Sequence, residues 1–335
     1  MNECKISIVI PTRDRPELLA GCLSHLAADQ LPAQFEVVVA DDSADASARV
    51  NATPELGEVR AVFTRGRGHA AARNAGWRAA RAPIILFLDD DVRPQSGTIA
   101  KLCRALVAGH ADWISANVLL RTDNNPVRSC YVAVMQGGRV NSEPVFVSTQ
   151  CVATRRECLE QLHGFNEAHQ RMVDYEISLR ARHHGHRLRC LLDAYAEDLD
   201  PKITSRGIAG RAVFSISHLP AIWAAHGLEL SRADAGVWLV CDLPFYWQRE
   251  PRRVGRQLIK HVLAMPVFYD LLLQAAIMAE RVNASSYPGL LRILIAVSSY
   301  KGFHVGLRRL RAAERRSLLS WLRAMQAPQK SSLVR

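Results

Sequence analysis

The chain has 335 residues, 49% of them apolar and 22% charged, which is enough to bury a sizeable core and too apolar for a disordered segment. Its formal charge of +11 is unevenly placed: residues 1–200 hold 23 Lys+Arg against 25 Asp+Glu (net −2), and residues 201–335 hold 20 against 7 (net +13). Eight cysteines (Cys4, Cys22, Cys103, Cys130, Cys151, Cys158, Cys190 and Cys241) show neither a CxxC pair nor zinc-knuckle spacing. That excludes a disulfide framework and reads as reduced core thiols of a cytoplasmic protein.

The N-terminus, MNECKISIVIPTRDR, has an apolar run too short for a signal peptide, so Ile6–Ile10 is expected to be the first strand. PELLAGCLSHLAAD places Leu18, Leu19, Cys22, Leu23 and Leu26 on one helical face. FEVVVADD and VRAVFT follow as strands, AAARNAGWRAARA as a helix, and IILFLDDD as a strand that is apolar on both faces. Continuous rather than alternating hydrophobicity marks a strand covered on both sides, as in a parallel α/β sheet, where ligands bind beyond the carboxyl ends of the strands. WISANVLL, CYVAVMQ and PVFVSTQCVA are further strand candidates among Asn, Gly and Pro turns. RRECLEQLHG reads as a helix ended by Gly164, then come a loop, a helix over about 173–184, and a strand over about 187–192.

Beyond about residue 205 the composition turns basic and helical. VLAMPVFYDLLLQAAIMA contains Pro266, Asp270 and Gln274, which disfavours a lipid-spanning helix, and LLRILIAVSSY is too short to cross. Between 307 and 325, Leu307, Leu310, Leu318, Trp321, Leu322 and Met325 gather on one side and arginines on the other. A basic amphipathic helix bordered by Trp suits a membrane interface, and a helix packed on its own domain is the alternative.

The chemistry concentrates in LFLDDDVRP. Each carboxylate of a crowded set raises the cost of ionising the next unless a cation sits among them. On an extended backbone Asp89 and Asp91 share a side and Asp90 points away, a D-x-D pair suited to a hard divalent cation, Mg²⁺ or Mn²⁺, whose open positions phosphates would fill. Taken alone the run also reads as a solvated acidic turn, but Asp41 and Asp42 close another buried strand and converge on the same crevice.

The ordered series SIVIPTRDRPELL, EVVVADDSADAS and GHAAARNAGWRAARAPIILFLDDDVRP resembles the nucleotide-sugar-binding half of inverting GT-A glycosyltransferases of the family-two class, over about residues 5–95 and, more loosely, 145–192. The resemblance implies a GT-A fold: a mostly parallel central sheet flanked by helices, here with a helical C-terminal extension. It also implies that Pro11, Thr12 and Asp14 border the nucleotide, that Asp41 and Asp42 bind base and ribose, and that Gly68 and Arg73-Asn74 match the G-x-x-x-A-R-N segment, with Arg73 facing base or diphosphate. Asp89 and Asp91 then match the metal-binding D-x-D motif, with Asp90 beside them on the nucleotide sugar. Asp14 stands where Asn is commoner, and the DDSAD turn is one residue shorter than the usual DDGSTD, which displaces Asp45. In GFNEAHQRMVDYEISLRARHHGHRL, Asp174 matches the Asp of the family's Glu-Asp pair and is the candidate base. Val173 replaces the Glu, with Glu176 as a substitute partner, and an N-cap of the following helix is the alternative role for Asp174. The HHGH cluster reads as a solvated helix end, and YAEDLDP offers Glu197 and Asp198 where some relatives place a metal-binding His.

The expectation is a catalytic domain over residues 1–205 and a basic helical extension over 206–335. The protein would transfer a sugar from a nucleoside-diphosphate donor to a glycan or lipid-linked acceptor, peripheral on the inner face of the cell membrane and drawn to its anionic surface. A dinucleotide oxidoreductase is a weaker reading, since GRGHAA at 66–71 does not follow the first strand. The non-enzymatic alternative is a GT-A-like adaptor binding membrane or nucleic acid through the basic part; nucleic acid is not an expected partner of the enzyme.

Overall fold

The computed structural model describes residues 5–29, 31, 34–45, 56, 59–120, 142–144, 146–199, 204–226, 258–282 and 286–326. The strand candidate CYVAVMQ lies outside these residues, as do Cys4, Cys130 and Cys241. Contacts divide the chain into two units, one holding the described residues up to 199 and the other those from 204 onward.

The first unit is a sheet of eight strands with helices on both faces. β1 (Lys5–Thr12), α1 (Pro16–Ala27), β2 (Gln34–Asp41), β3 (Val59–Phe63), α2 (His69–Ala79) and β4 (Ile84–Leu88) appear in the anticipated order. Then come β5 (Val92–Pro94), α3 (Thr98–Val107), β6 (Trp113–Leu120), β7 (Cys151–Arg155), α4 (Arg156–Gln161), α5 (Val173–His183) and β8 (Leu188–Asp198). The strand order is β3-β2-β1-β4-β7-β6-β8-β5. β1, β2, β3 and β4 run parallel and β6 pairs parallel with β8, whereas β7 runs antiparallel to both its neighbours and β5 antiparallel to β8.

Side-chain alternation explains why both faces are covered. Ile6, Ile8, Ile10, Val37, Val39, Leu86 and Leu88 point into a core shared with Leu19, Leu23 and Leu26 of α1 and Leu102 and Leu106 of α3. Val9, Val38, Ile85 and Phe87 point the other way, against Trp77 of α2, Leu159 of α4 and Ile177 of α5. The chain order reverses between β1 and β4, so the ends of these strands open the crevice where open α/β sheets hold ligands. Cys22, Cys103, Cys151, Cys158 and Cys190 are buried, and burial pushes the Cys22 thiol up to about 12.

The last strand differs from expectation. β8 continues to Asp198, because a register shift between Ala116 and Asn117 lets it keep pairing with β6 past Leu192. The polar sequence DAYAED hides this extension, since alternate side chains there face solvent.

The second unit is helical: α6 (Ser205–Ile216), α7 (Leu219–His226), α8 (Pro266–Arg281), α9 (Tyr287–Arg309) and α10 (Ala312–Gln326). Thr204 caps α6 by accepting from the Gly207 N–H at 3.1 Å. α9 is much longer than the apolar run suggests, and its 18-residue window of mean hydropathy 1.2 is long and apolar enough to cross a membrane by length and composition. However, 61% of that window is buried in the fold. Gly302 and Gly306 seat it tightly: a Cβ on Gly302 would overlap the Val213 carbonyl of α6, and one on Gly306 would press on Pro220 of α7. The expected helix over 307–325 is broken after Arg309, so Leu307 belongs to α9. The apolar side of α10 is covered, with Leu318 and Leu322 buried and Trp321 edge-on to Trp223 at 6.0 Å.

Gly302→Ala sets helix propensity, worth up to about 1 kcal/mol in its favour, against overpacking on backbone atoms that cannot swing aside, which costs about 1–3 kcal/mol. The second effect wins, and urea unfolding will show the variant less stable than the parent.

Candidate functional site

The acidic crevice is built from the ends of β1, β2 and β4. β4 stops at Leu88, and Asp89–Asp91 turn away from the strand, with the Val92 N–H donating to the Asp89 carbonyl at 3.1 Å. Strand alternation therefore does not govern them, which corrects the expectation that Asp90 points away, while the charge of Asp91 still bears on Asp89. Instead Asp90 and Asp91 face one cation: Arg15 Nη1 reaches Asp91 Oδ2 at 2.9 Å and Asp90 Oδ1 at 3.3 Å. Thr12 Oγ1 donates to the other Asp90 oxygen at 2.6 Å. Asp89 turns to Arg73, whose Nη2 lies 2.6 Å from its Oδ1.

These arginines do not neutralise the cluster. Burial, opposed by Arg73 and reinforced by Asp91, Asp90 and Asp198, pushes the Asp89 carboxyl up to about 7. Burial raises Asp90 as well, against the Thr12 hydrogen bond. Asp198, at the end of β8, is held by Gln150 Nε2 at 2.7 Å, and the Gln150 carbonyl accepts the Asp89 N–H at 2.9 Å. Among the described residues no three His, Cys, Asp or Glu side chains form a ready-made metal cage. The donor set nevertheless suits a hard divalent cation that keeps positions for phosphate oxygens, since three carboxylates crowd one turn with two guanidiniums facing them.

The β2 end forms the neighbouring wall. Asp42 is nearly fully engaged: it accepts from Thr64 Oγ1 at 2.6 Å and from the Gly68 N–H at 2.9 Å, with Arg13 at 3.5 Å. Gly68 adopts φ +100°, a backbone that L side chains rarely take, and so presents its N–H at the start of α2. Asp41 accepts through Oδ1 from the Ser43 N–H and hydroxyl, while its buried Oδ2 finds no donor among the described residues. Pro11 is buried at the end of β1, and Asp14 stands exposed at the rim with φ +52°, its N–H on Ser43 Oγ. Asp45 is exposed on the short turn that follows.

Arg73 lies in the body of α2. It is 4% exposed, and its charge acts on Asp89 and on Asp174, joining the two carboxylates that the sequence marked for different tasks. Asp174 lies in the first turn of α5, where burial raises its carboxyl against the Tyr175 N–H at 2.9 Å and the charge of Arg73. The cap position belongs to Met172, at φ +61°, and not to Asp174. Val173 is buried among the apolar residues beneath the sheet, so no carboxylate could sit there without losing that packing. Glu176 does not replace it: both its oxygens hold Arg180, at 2.8 and 2.9 Å, and Arg180 in turn grips the Leu162 and Gly164 carbonyls.

Asn74 is engaged on both sides of its amide. It donates to the Phe165 carbonyl and to Glu167, and accepts from the Phe165 and Trp77 N–H groups, tying α2 to the loop before α5. The His cluster closes α5: His184 Nδ1 meets the Arg180 carbonyl and His186 Nε2 meets Gln161. Sequence reasoning missed Arg15 and Gln150. Arg15 lies within the quoted SIVIPTRDRPELL, and its place just before Pro16, where α1 begins, was the available signal.

Residues 7–162 match the family model described as glycosyl transferase family 2. Those residues form a family 2 glycosyltransferase domain. The domain has the GT-A fold, and similar structures agree. A mannosyltransferase, PcManGT from Pyrobaculum calidifontis, solved with GDP-Man and Mn²⁺, superposes at TM-score 0.61 with 19% identity over 89% of this chain and 86% of that one. TarS 1-349 of S. aureus superposes at 0.50 with 17% identity, over 87% of this chain and 90% of that one. In sequence, a validoxylamine A glucosyltransferase of Streptomyces hygroscopicus subsp. limoneus is 36% identical over 122 residues, 34% of this chain and 26% of that protein. The uncharacterised glycosyltransferase YwdF of Bacillus subtilis is 30% identical over 125 residues, 37% of this chain and 46% of that one. The chain thus matches about a quarter to under half the length of these curated relatives of the glycosyltransferase domain.

Thr12→Val leaves a buried Asp90 oxygen without its donor, which costs about 1–3 kcal/mol. Denaturant unfolding at neutral pH will register the loss. The difference shrinks as the pH falls and Asp90 takes up its proton, because the hydrogen bond favours the ionised carboxyl.

Proposed function

We propose that the chain moves a sugar from a nucleoside-diphosphate sugar to a hydroxyl of a glycan or lipid-linked acceptor, with inversion at the anomeric carbon and Mg²⁺ or Mn²⁺ as cofactor. One observation carries this reading: three carboxylates, Asp89, Asp90 and Asp91, crowd the turn at the end of β4 with two guanidiniums, Arg73 and Arg15, facing them. A donor set so short of positive charge is suited to a dication and its phosphate ligands, and the PcManGT complex with GDP-Man and Mn²⁺ offers the precedent.

Asp89 and Asp91 would hold the metal, which when bound supplies positive charge for the departing nucleoside diphosphate. The unpartnered Asp41 Oδ2 suits an N–H of the base. Thr12, Asp42 and the Gly68 turn shape the nucleotide wall, Asp14 borders it, and Asp90 is fixed by Thr12 and Arg15 so that Asp91 keeps its place. Asp174 takes the proton of the acceptor hydroxyl as it attacks in line. Its raised carboxyl makes it a stronger base than an ordinary aspartate, and Arg73 steadies the ionised form. The basic second part supports work at an anionic membrane face on the cytoplasmic side, in cell-envelope polysaccharide or glycolipid synthesis. A second reading, an impaired GT-A-like adaptor, is favoured by Val173, whose burial removes the Glu of the usual pair.

The deciding experiment incubates the chain with a panel of nucleotide sugars and metals and follows nucleoside diphosphate release. Release that depends on Mg²⁺ or Mn²⁺ and is lost in Asp91→Ala supports the transferase; no release with any donor, or full activity of Asp91→Ala, sinks it. Asp174→Asn should lower turnover by about 10²–10⁴-fold while donor binding is kept. The acid limb of the pH–rate profile should lie above the ordinary carboxylate range near pH 4, because a raised carboxyl becomes a base only at higher pH. In thermal melts, the midpoint gain from Mn²⁺ with nucleoside diphosphate should be larger at pH 8 than at pH 6, since the metal must displace the proton held by Asp89.

A further inference from the structure

We propose that the exposed apolar stripe of α8 is the surface by which the second unit sits on an anionic lipid bilayer. The proposal deepens the membrane placement given above and is independent of the transfer chemistry. Soluble folds scatter exposed apolar side chains singly, and a contiguous run of them marks an interaction surface. Here Val267 is 68% exposed, Leu271 61%, Met278 55% and Val282 68%. At 3.6 residues per turn these four fall on one line along the helix and its last turn, with Phe268, 45% exposed, beside them. The opposite side of α8 is committed to the unit's interior, where Tyr269, Ala276 and Ala279 are buried and the Tyr269 hydroxyl meets Ser298 of α9 at 2.9 Å. Leu258, Ile259 and Met265, which precede the helix, and Ile293 of α9 are exposed as well.

Charge identifies the occupant. Residues 201–335 carry a net +13. Arg281 lies one turn from Met278 and next to Val282, and exposed Arg292 adjoins Ile293, while Asp270 and Gln274 lie on the same polar border of the stripe. A second copy would bring another +13 against the first, whereas anionic headgroups complement it. A helix lying in the interface needs this arrangement, apolar side chains toward the acyl boundary and arginines at headgroup level. The basic helix α10, which the sequence nominated for this task, has its apolar side covered within the fold.

The test uses the full chain in co-sedimentation with vesicles of phosphatidylcholine alone or mixed with phosphatidylglycerol. The expected result is binding to the mixed vesicles that falls about tenfold or more in the double variant Leu271→Glu/Met278→Glu, with unchanged thermal stability and unchanged donor turnover in the absence of vesicles. Leu271→Lys/Met278→Lys separates insertion from simple adhesion, and it too should bind weakly despite its added charge. In Phe268→Trp, the indole emission should shift to shorter wavelength on mixed vesicles. Vesicle binding by either double variant equal to the parent's, an unshifted Phe268→Trp, no binding by the parent, or a parent dimer that the Glu variant dissociates would each overturn the proposal. Loss of vesicle binding with donor turnover intact leaves the transferase reading standing, so the two fail separately.

Discussion

Everything at the crevice depends on how the fold tolerates a row of carboxylates at the end of β4. Two unit charges about 4 Å apart interact by about 4 kcal/mol at an effective dielectric near 20, a large share of a domain's net stability of about 5–15 kcal/mol. The chain answers with Arg15 on Asp90 and Asp91, Arg73 on Asp89, and the Thr12 hydroxyl on Asp90. The compensation is incomplete, and the unbalanced remainder is the feature a dication can use.

Burial sorts the remaining polar residues by task. Asp42, Asn74 and Glu176 have their oxygens occupied by protein donors and hold the walls in place. Asp41 Oδ2 is buried without a donor among the described residues, and the half-buried Asp89 and Asp174 carboxyls are raised by desolvation beyond what their partners offset. Partners fully supplied from within the chain make a strut, and a deficit marks a place for ligand.

The sheet's leading half was legible because β1, β2 and β4 are apolar on both faces and α1 carries its leucines on one side; such patterns survive folding unchanged. The three-residue β5 and the polar end of β8 were not, since their pairing comes from distant partners rather than local pattern. The choice of Asp89, Asp91, Arg73 and Asp174 rested on motif order, and the structure brings all four to one crevice. The orientation of Asp90 was misread because strand alternation was carried past Leu88. Arg15 escaped notice since its partners lie 75 and 76 residues away. In the second unit, local amphipathicity drew attention to α10, whereas which helix keeps an apolar side in the open is decided by packing among the described helices.

Asn74 has a mechanical meaning beyond its hydrogen bonds. One amide fastens the helix bearing Arg73 to the segment that delivers Asp174, so the two walls of the crevice share a rivet. Distortion entering from either side spreads to the other through that joint. Alignment of Arg73 with Asp174 is therefore inherited from the scaffold and does not have to be assembled by whatever enters the crevice.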